Sequence, residues 1–236
     1  EDFYTEISAW YYYAVKSIKL PEKPDYIKNE EENVKNFTVR LISRLIFSWF
    51  LKEKQELIHP DLLELYHYNG EIKKLLGNEN EPDFFEQNNY YKLILQNVFF
   101  NALNQPVNQK RKNEYVFKDK LPDDFDFSLF DNIPFLNGGL FDKLKEDYCD
   151  TRIDDEVFTI PNELFYADEL EVKVGPKTHK TKGINRILSS YKFTVEENTS
   201  TDEEIALDPE LLGLVFENLL AELDPVEAVA KTARKE

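Results

Sequence analysis

Apolar residues recur at three- and four-residue spacing over four stretches of the chain, and helices are expected there. In Glu1 to Leu20 the stripe is Phe3, Ile7, Trp10, Tyr11, Ala14, Val15 and Ile18, closed by Pro21 and Pro24. Its expected role is core packing. In Asn29 to Lys54 it is Val34, Phe37, Leu41, Ile42, Leu45, Ile46, Trp49 and Phe50, roughly five turns and the expected central helix of the core. Arg40 and Arg44 lie at its edge, where a solvated or ion-paired flank is expected. Phe84 to Asn104 follows, with Tyr90, Leu93, Ile94, Asn97, Val98 and Leu103 on the buried side and Gln105-Pro106 as the stop. The fourth stretch begins at Asp208, a cap for a helix with Pro209 in its first turn. It carries Leu211, Leu212, Val215, Phe216, Leu219, Leu220 and Leu223. Asp224-Pro225 repeats the start signal, and a weaker helix runs to Lys235 with no glycine or proline to close it. It is expected to lead into a further segment.

The pattern is weaker elsewhere. Pro60 to Tyr68 predicts a short helix, Asn69-Gly70 a turn, Glu71 to Leu76 one or two helical turns, and Gly77 to Asp83 a loop. Lys110-Arg111-Lys112, Lys118 and Lys120 form a basic loop, and Asp123 to Phe130 an irregular segment with a short helical piece. Phe158 to Phe165 is expected to be a strand fragment entering a short helix. Leu170 to Val174 is a candidate strand, Gly183 to Tyr191 a short helix, Lys192 to Val195 a candidate strand and Glu196 to Glu204 an acidic loop. The fold class expected is mainly α: an irregular multi-helix bundle with a few short β-strands. No sharp domain boundary is expected; a weak seam falls in the acidic region from Glu146 and Asp147 through Asp154 and Asp155. It divides an aromatic-rich helical core, residues 1–145, from a mixed segment, residues 146–236.

Composition sharpens this picture. Aromatic residues make up 14% of the 236 residues and glycine only 7 positions, which favours long helices with aromatic packing over a turn-rich sandwich. No apolar run approaches the ~20 residues needed to span a bilayer, so no membrane partner is expected. The single cysteine, Cys149, excludes an internal disulfide and fits a cytoplasmic location. The chain has no methionine and starts at Glu1, inside an aromatic helical pattern, so it is expected to be a piece of a longer protein. The net charge of −17 argues against autonomous nucleic-acid binding, because phosphate neutralisation supplies most non-specific affinity.

Candidate chemistry is sparse. His59, His67 and His179 are scattered, Cys149 is alone, and no zinc spacing occurs. No serine sits in a Gly-x-Ser-x-Gly elbow. Cys149 lies beside Glu146, Asp147 and Asp150, which would raise its pKa and leave it inert. The adjacent Gly138-Gly139, within Ile133 to Phe141, lacks the lysine and further glycines of a phosphate loop. A structural turn or close packing is expected there. Glu171-Val172-Lys173, downstream of Pro60-Asp61, Pro82-Asp83 and Pro122-Asp123, matches the pattern of a metal-dependent nuclease. With 46 acidic residues such a pairing arises readily by chance. Neither the glycine-rich cofactor turn nor the Asp/Asn-Pro-Pro-Tyr-type loop of a base methyltransferase is present.

One strip stands out against the acidic background. Lys173, Lys177, Lys180, Lys182 and Arg186 place five cations within fourteen residues. They are either a solvated loop offsetting nearby carboxylates or a set of DNA-backbone contacts that position a duplex without reading its bases.

Several segments together resemble the type IIG restriction–modification enzymes and their adenine-specific DNA methyltransferase relatives. They are Ser8 to Lys16 (Ser-Ala-Trp-Tyr-Tyr-Tyr-Ala-Val-Lys), Arg40 to Lys54, Tyr90 to Asn104, Ile133 to Phe141, Tyr191 to Asn198 and Asp208 to Lys235. Singly each is a hydrophobic pattern; jointly, in the family's order, they span nearly the whole chain. The resemblance implies a non-catalytic helical connector between an upstream nuclease and a methyltransferase domain. The parent would be a bacterial enzyme transferring a methyl group from S-adenosylmethionine to adenine N6. It would use Mg²⁺ as well if restriction activity is fused to it. DNA and the two adjoining domains are the implied partners. The next family element, a Gly-Ser-Phe-Tyr-Thr-Pro-like cofactor motif, would follow Thr232-Ala-Arg-Lys235. No catalytic, cofactor or metal residue of the family has a counterpart in this chain. The rivals are a helical protein-interaction module that touches no DNA and the metal-dependent nuclease using Glu171 and Lys173.

Overall fold

The computed structural model describes residues 2–55, 57–64, 75–77, 81, 83–106, 115–117, 120–121, 123–136, 139–149, 153 and 156–191. The expected elements at residues 65–74, 192–204 and 208–235, and the basic cluster at 110–112 and 118, lie outside them. The described part is mainly α, with one two-stranded sheet.

The two helices with the clearest periodicity form where the pattern puts them. Helix α1 is Asp2–Ser17 and buries Phe3, Ile7, Trp10, Tyr11 and Ala14. The chain leaving it makes a two-way main-chain pairing between Lys19 and Thr159. Helix α2 is Glu30–Gln55. The Asn29 side chain caps it by accepting from the Glu32 N–H at 2.8 Å, and Glu30, Glu31 and Glu32 sit at its positive end. Leu41, Ile42, Leu45, Ile46 and Trp49 are all buried on its inner face.

The centre of the core is a different helix from the one expected. Residues 90–102 form a helix, α3, in which every residue is buried. It is π-helical at Tyr90–Leu95 and again at Val98–Ala102, with two α-helical residues between. A helix buried all round has no polar face, so a one-sided stripe does not describe it. It also starts later than its apolar pattern: residues 83–86 are turns, and Asn162 Oδ1 accepts the first N–H, that of Tyr90, at 3.0 Å. Between the π segments the Asn97 side chain donates to the Leu93 carbonyl at 2.7 Å, competing with the regular i→i−4 ladder.

Buried and half-buried asparagines do much of the work that sheets do elsewhere. Asn88 binds both the Phe158 carbonyl and the Ile160 N–H at 2.6 Å. Asn97 binds the Val116 carbonyl and N–H at 3.0 and 2.6 Å. Asn162 adds the Phe84 carbonyl and the Asn89 side chain. Each satisfies main-chain groups of irregular segments that would otherwise be buried unpaired.

Past Asn162 the chain makes a short helix, α4 (Glu163–Tyr166), then the strands β1 (Leu170–Val174) and β2 (Lys177–Thr181), then α5 (Ile184–Ser189). Among the described residues one buried cluster has members from Phe3 to Tyr191, on both sides of position 145. Glycine 183 is required by contact: a Cβ there would lie 2.4 Å from the main chain of Phe165 and Tyr166. Gly139 opens a 3₁₀ turn, Gly139–Phe141, as the expected turn requires, but with neither a positive φ nor a close neighbour that would demand glycine; Gly138 lies outside the described residues.

Candidate nucleic-acid interface

The basic strip is not a loop. Lys177–Thr181 is the second strand of an antiparallel hairpin whose register sets Leu170 opposite Thr181, Glu171 opposite Lys180, Val172 opposite His179, Lys173 opposite Thr178 and Val174 opposite Lys177. The connection is Gly175-Pro176, with Gly175 at φ +59°, the left-handed conformation a two-residue hairpin favours at its first loop position. Alternation then sorts the side chains. Leu170, Val172 and Thr181 turn inward, while Glu171, Lys173 and Lys180 stand exposed on the outer face.

The hairpin lies along α1. The Thr181 hydroxyl donates to the Glu6 carbonyl at 3.1 Å near the start of that helix. The Lys16 ammonium donates to the Lys173 carbonyl at 2.5 Å in its last turn. The hairpin's base is therefore pinned to the beginning of α1 and its tip to the end, so β1 and α1 run the same way.

The five cations divide into two groups. At the base, Lys180 pairs with Glu169 at 3.0 Å and Glu171 at 3.4 Å. Those carboxylates, Glu169 foremost, raise its pKa. Arg186 pairs with Asp168 at 2.8 Å and donates to the Tyr166 carbonyl, while burial lowers its pKa. Lys173, Lys177 and Lys182 are exposed and have no carboxylate partner among the described residues. Lys173 and Lys177 flank the tip; Lys182 follows β2. By the register Lys173 and Lys180 stand on the outer face and Lys177, opposite Val174, on the other, so the candidates are near in the chain but do not share one face. The lysines without a carboxylate partner among the described residues include both that flank the tip. Lys16 meets the hairpin at that tip and carries no periodicity signal of its own, because its role depends on a contact with residue 173.

The other candidates resolve differently. Glu171 faces Lys180, and among the described residues no three His, Cys, Asp or Glu side chains come together as a metal-binding group. His59 caps a single 3₁₀ turn, Pro60–Leu62, by accepting the Asp61 N–H at 3.2 Å. His179 is half-buried opposite Val172, and His67 lies outside the described residues. The Cys149 thiol is pushed up to about 12, with burial the leading cause; Lys143 lowers it and Asp147 raises it by less. The acidic neighbours expected to dominate are thus secondary. Of the two outcomes expected for Arg40 and Arg44, the ion-paired one holds: Arg40 lies by Glu146 and Asp147, and Arg44 is paired with Asp147, buried rather than solvated.

Two hollows open among the described residues. One, of about 110 Å³ between Asn88, Lys92, Phe117 and Lys120, is well below the ~300 Å³ lower end of ligand pockets. The other, of about 410 Å³, mixes charged groups, Glu22, Lys23, Asp25 and Lys145, with the rings of Tyr26 and Tyr148.

No helix among the described residues is long and apolar enough to cross a membrane. No protein-family model matches the chain, and no solved structure matches it. The chain is 28% identical over 190 residues to a protein of Methanocaldococcus jannaschii that carries the provisional name of type II restriction enzyme and methyltransferase. The match covers 80% of this chain and 12% of that protein. The chain is thus a distant relative of a restriction–modification protein and spans about an eighth of its length.

Proposed function

We propose that this chain is the non-catalytic helical connector of a type IIG restriction–modification enzyme, next to an adenine-specific DNA methyltransferase domain. The observation that carries this reading is the match to a much longer restriction–modification protein across four-fifths of the chain. A single core joining α1, α2, α3 and the hairpin supports it, because such a body can hold two neighbouring domains at a fixed spacing. S-adenosylmethionine, and Mg²⁺ for any nuclease, belong in this reading to those neighbours, in a cytoplasmic protein.

In this reading the hairpin is the part that meets DNA. Lys173, Lys177 and Lys182 supply phosphate contacts that position the duplex for the methyltransferase without reading sequence. Lys180 and Arg186 contribute less, since each must first give up a carboxylate. The acidic remainder of the chain repels DNA elsewhere and leaves the hairpin as the favoured approach.

A second reading has its own observation. Phe47, Leu140 and Leu144 are 37–40% exposed, and the Phe47 ring lies 5.9 Å from that of Phe141. This apolar surface suits a domain-coupling module that touches no DNA.

The full-length gene product, supplied with labelled S-adenosylmethionine and duplex DNA, should form N6-methyladenine. The 236-residue chain alone should bind no S-adenosylmethionine in calorimetry at micromolar protein. Loss of methyl transfer in the first assay, or saturable cofactor binding in the second, would overturn the connector reading.

A further inference from the structure

The hairpin tip is held by a residue outside the basic strip. Lys16 is exposed in the last turn of α1, 157 positions from its acceptor, and its ammonium donates to the Lys173 carbonyl at 2.5 Å. The position suits a cation twice over. The C-terminal end of a helix carries partial negative charge, and the carbonyl it caps lies on the edge of β1 not paired with β2. Charge-assisted bonds of this kind are the stronger sort. An ammonium has three N–H groups and spends one here. Two remain free, beside Lys173 and the tip that carries Lys177. The nearest carboxylates of the hairpin, Glu169 and Glu171, are engaged with Lys180 at the other end.

We propose that Lys16 is a phosphate-contacting residue of the hairpin tip, acting beside Lys173, whose carbonyl it holds, to grip the backbone of duplex DNA. This rests on the reading of the hairpin as the DNA-facing element. Lys16 acts in two ways there. It contributes a charge, and by holding the Lys173 carbonyl it fixes the direction in which the tip points. A phosphate reaching the tip meets cations from two elements that are joined before it arrives. Little ordering of the protein is then left to be done on binding.

The two roles separate by substitution. Lys16→Gln removes the charge and leaves an N–H with one bond less reach toward the Lys173 carbonyl; Lys16→Arg keeps the charge and the reach. The assay is fluorescence anisotropy of the full-length gene product on a random-sequence duplex over a range of salt, with thermal melting as the fold control. Lys16→Gln should melt as wild type and flatten the log–log salt dependence by roughly 0.9, an affinity loss of about eightfold at 0.1 M salt. Lys16→Arg should restore both. If Lys16→Gln keeps the wild-type slope while Lys173→Ala with Lys177→Ala flattens it, Lys16 is not a contact and this inference falls alone. If neither changes the slope, the hairpin is not a DNA surface and the reading beneath it falls too. If Lys16→Gln lowers affinity at every salt concentration with no change of slope, its role is structural and the inference is again overturned.

Discussion

Arg44 and Asp147 form a buried two-point ion pair, Nη1 to Oδ1 at 2.7 Å and Nη2 to Oδ2 at 3.1 Å, across 103 positions of sequence. The Arg44 guanidinium also donates to the Leu140 and Asp142 carbonyls and lies 4.6 Å from the centre of the Phe100 ring. Asp147 accepts the Leu144 N–H in turn. The pair ties the irregular segment 139–149 to α2, and through Phe100 to α3. Asp147→Ala leaves a buried guanidinium without its counter-ion and should cost about 3–5 kcal/mol. An unchanged urea midpoint would show that the pair contributes nothing to stability.

Gly183→Ala should destabilise by at least ~1–3 kcal/mol, the usual range for overpacking, because the added Cβ meets main chain at 2.4 Å rather than a movable side chain. Gly139→Ala, with only an Asp142 oxygen at 3.9 Å, is the matched control and should be nearly neutral in the same melt.

Trp49 is 1% exposed on the inner face of α2, with the Lys52 ammonium 4.0 Å from its ring centre. Trp49→Ala should cost about 3–5 kcal/mol, the usual loss for a large buried aromatic. A wild-type denaturation midpoint would put that helix face on the surface.

These stabilities mark where the fold was legible. Helices α1 and α2 follow from periodicity because each has one wet and one dry side. Helix α3 does not, because Lys92, Gln96, Asn97 and Asn101 are buried along with its apolar residues and the polar–apolar contrast vanishes. Asp147 reads as part of an acidic surface run, and only its contact with Arg44 shows otherwise. In the hairpin, Leu170–Val174 alternates visibly. Lys-Thr-His-Lys-Thr buries only Thr181 and gives no strand signal. The turn dipeptide Gly175-Pro176 between two short runs was the available clue. The lysines could be named from composition, but which of them keep free charge depends on Asp168, Glu169 and Glu171, and on strand register.

Cys149 should resist alkylation. With the thiol near 12, its thiolate fraction at pH 8 is on the order of a thousandfold below that of an ordinary thiol, offset in part by higher intrinsic nucleophilicity. A raised thiol pKa leaves less thiolate below it, so the labelling rate should keep climbing with pH beyond 10. Labelling of the folded chain at the rate of a free peptide thiol at pH 8 would contradict a raised thiol at this half-buried position.

The measurement closest to the central claim is the salt dependence of DNA binding by the full-length gene product carrying Lys173→Ala, Lys177→Ala and Lys182→Ala together. Three lost phosphate contacts should flatten the log–log slope by roughly 2.7, equally for cognate and random duplexes. Lys180→Ala, whose charge is already matched by Glu169 and Glu171, should change it little. A triple variant with wild-type affinity and slope would contradict the account and leave the chain as a domain-coupling module that does not touch DNA.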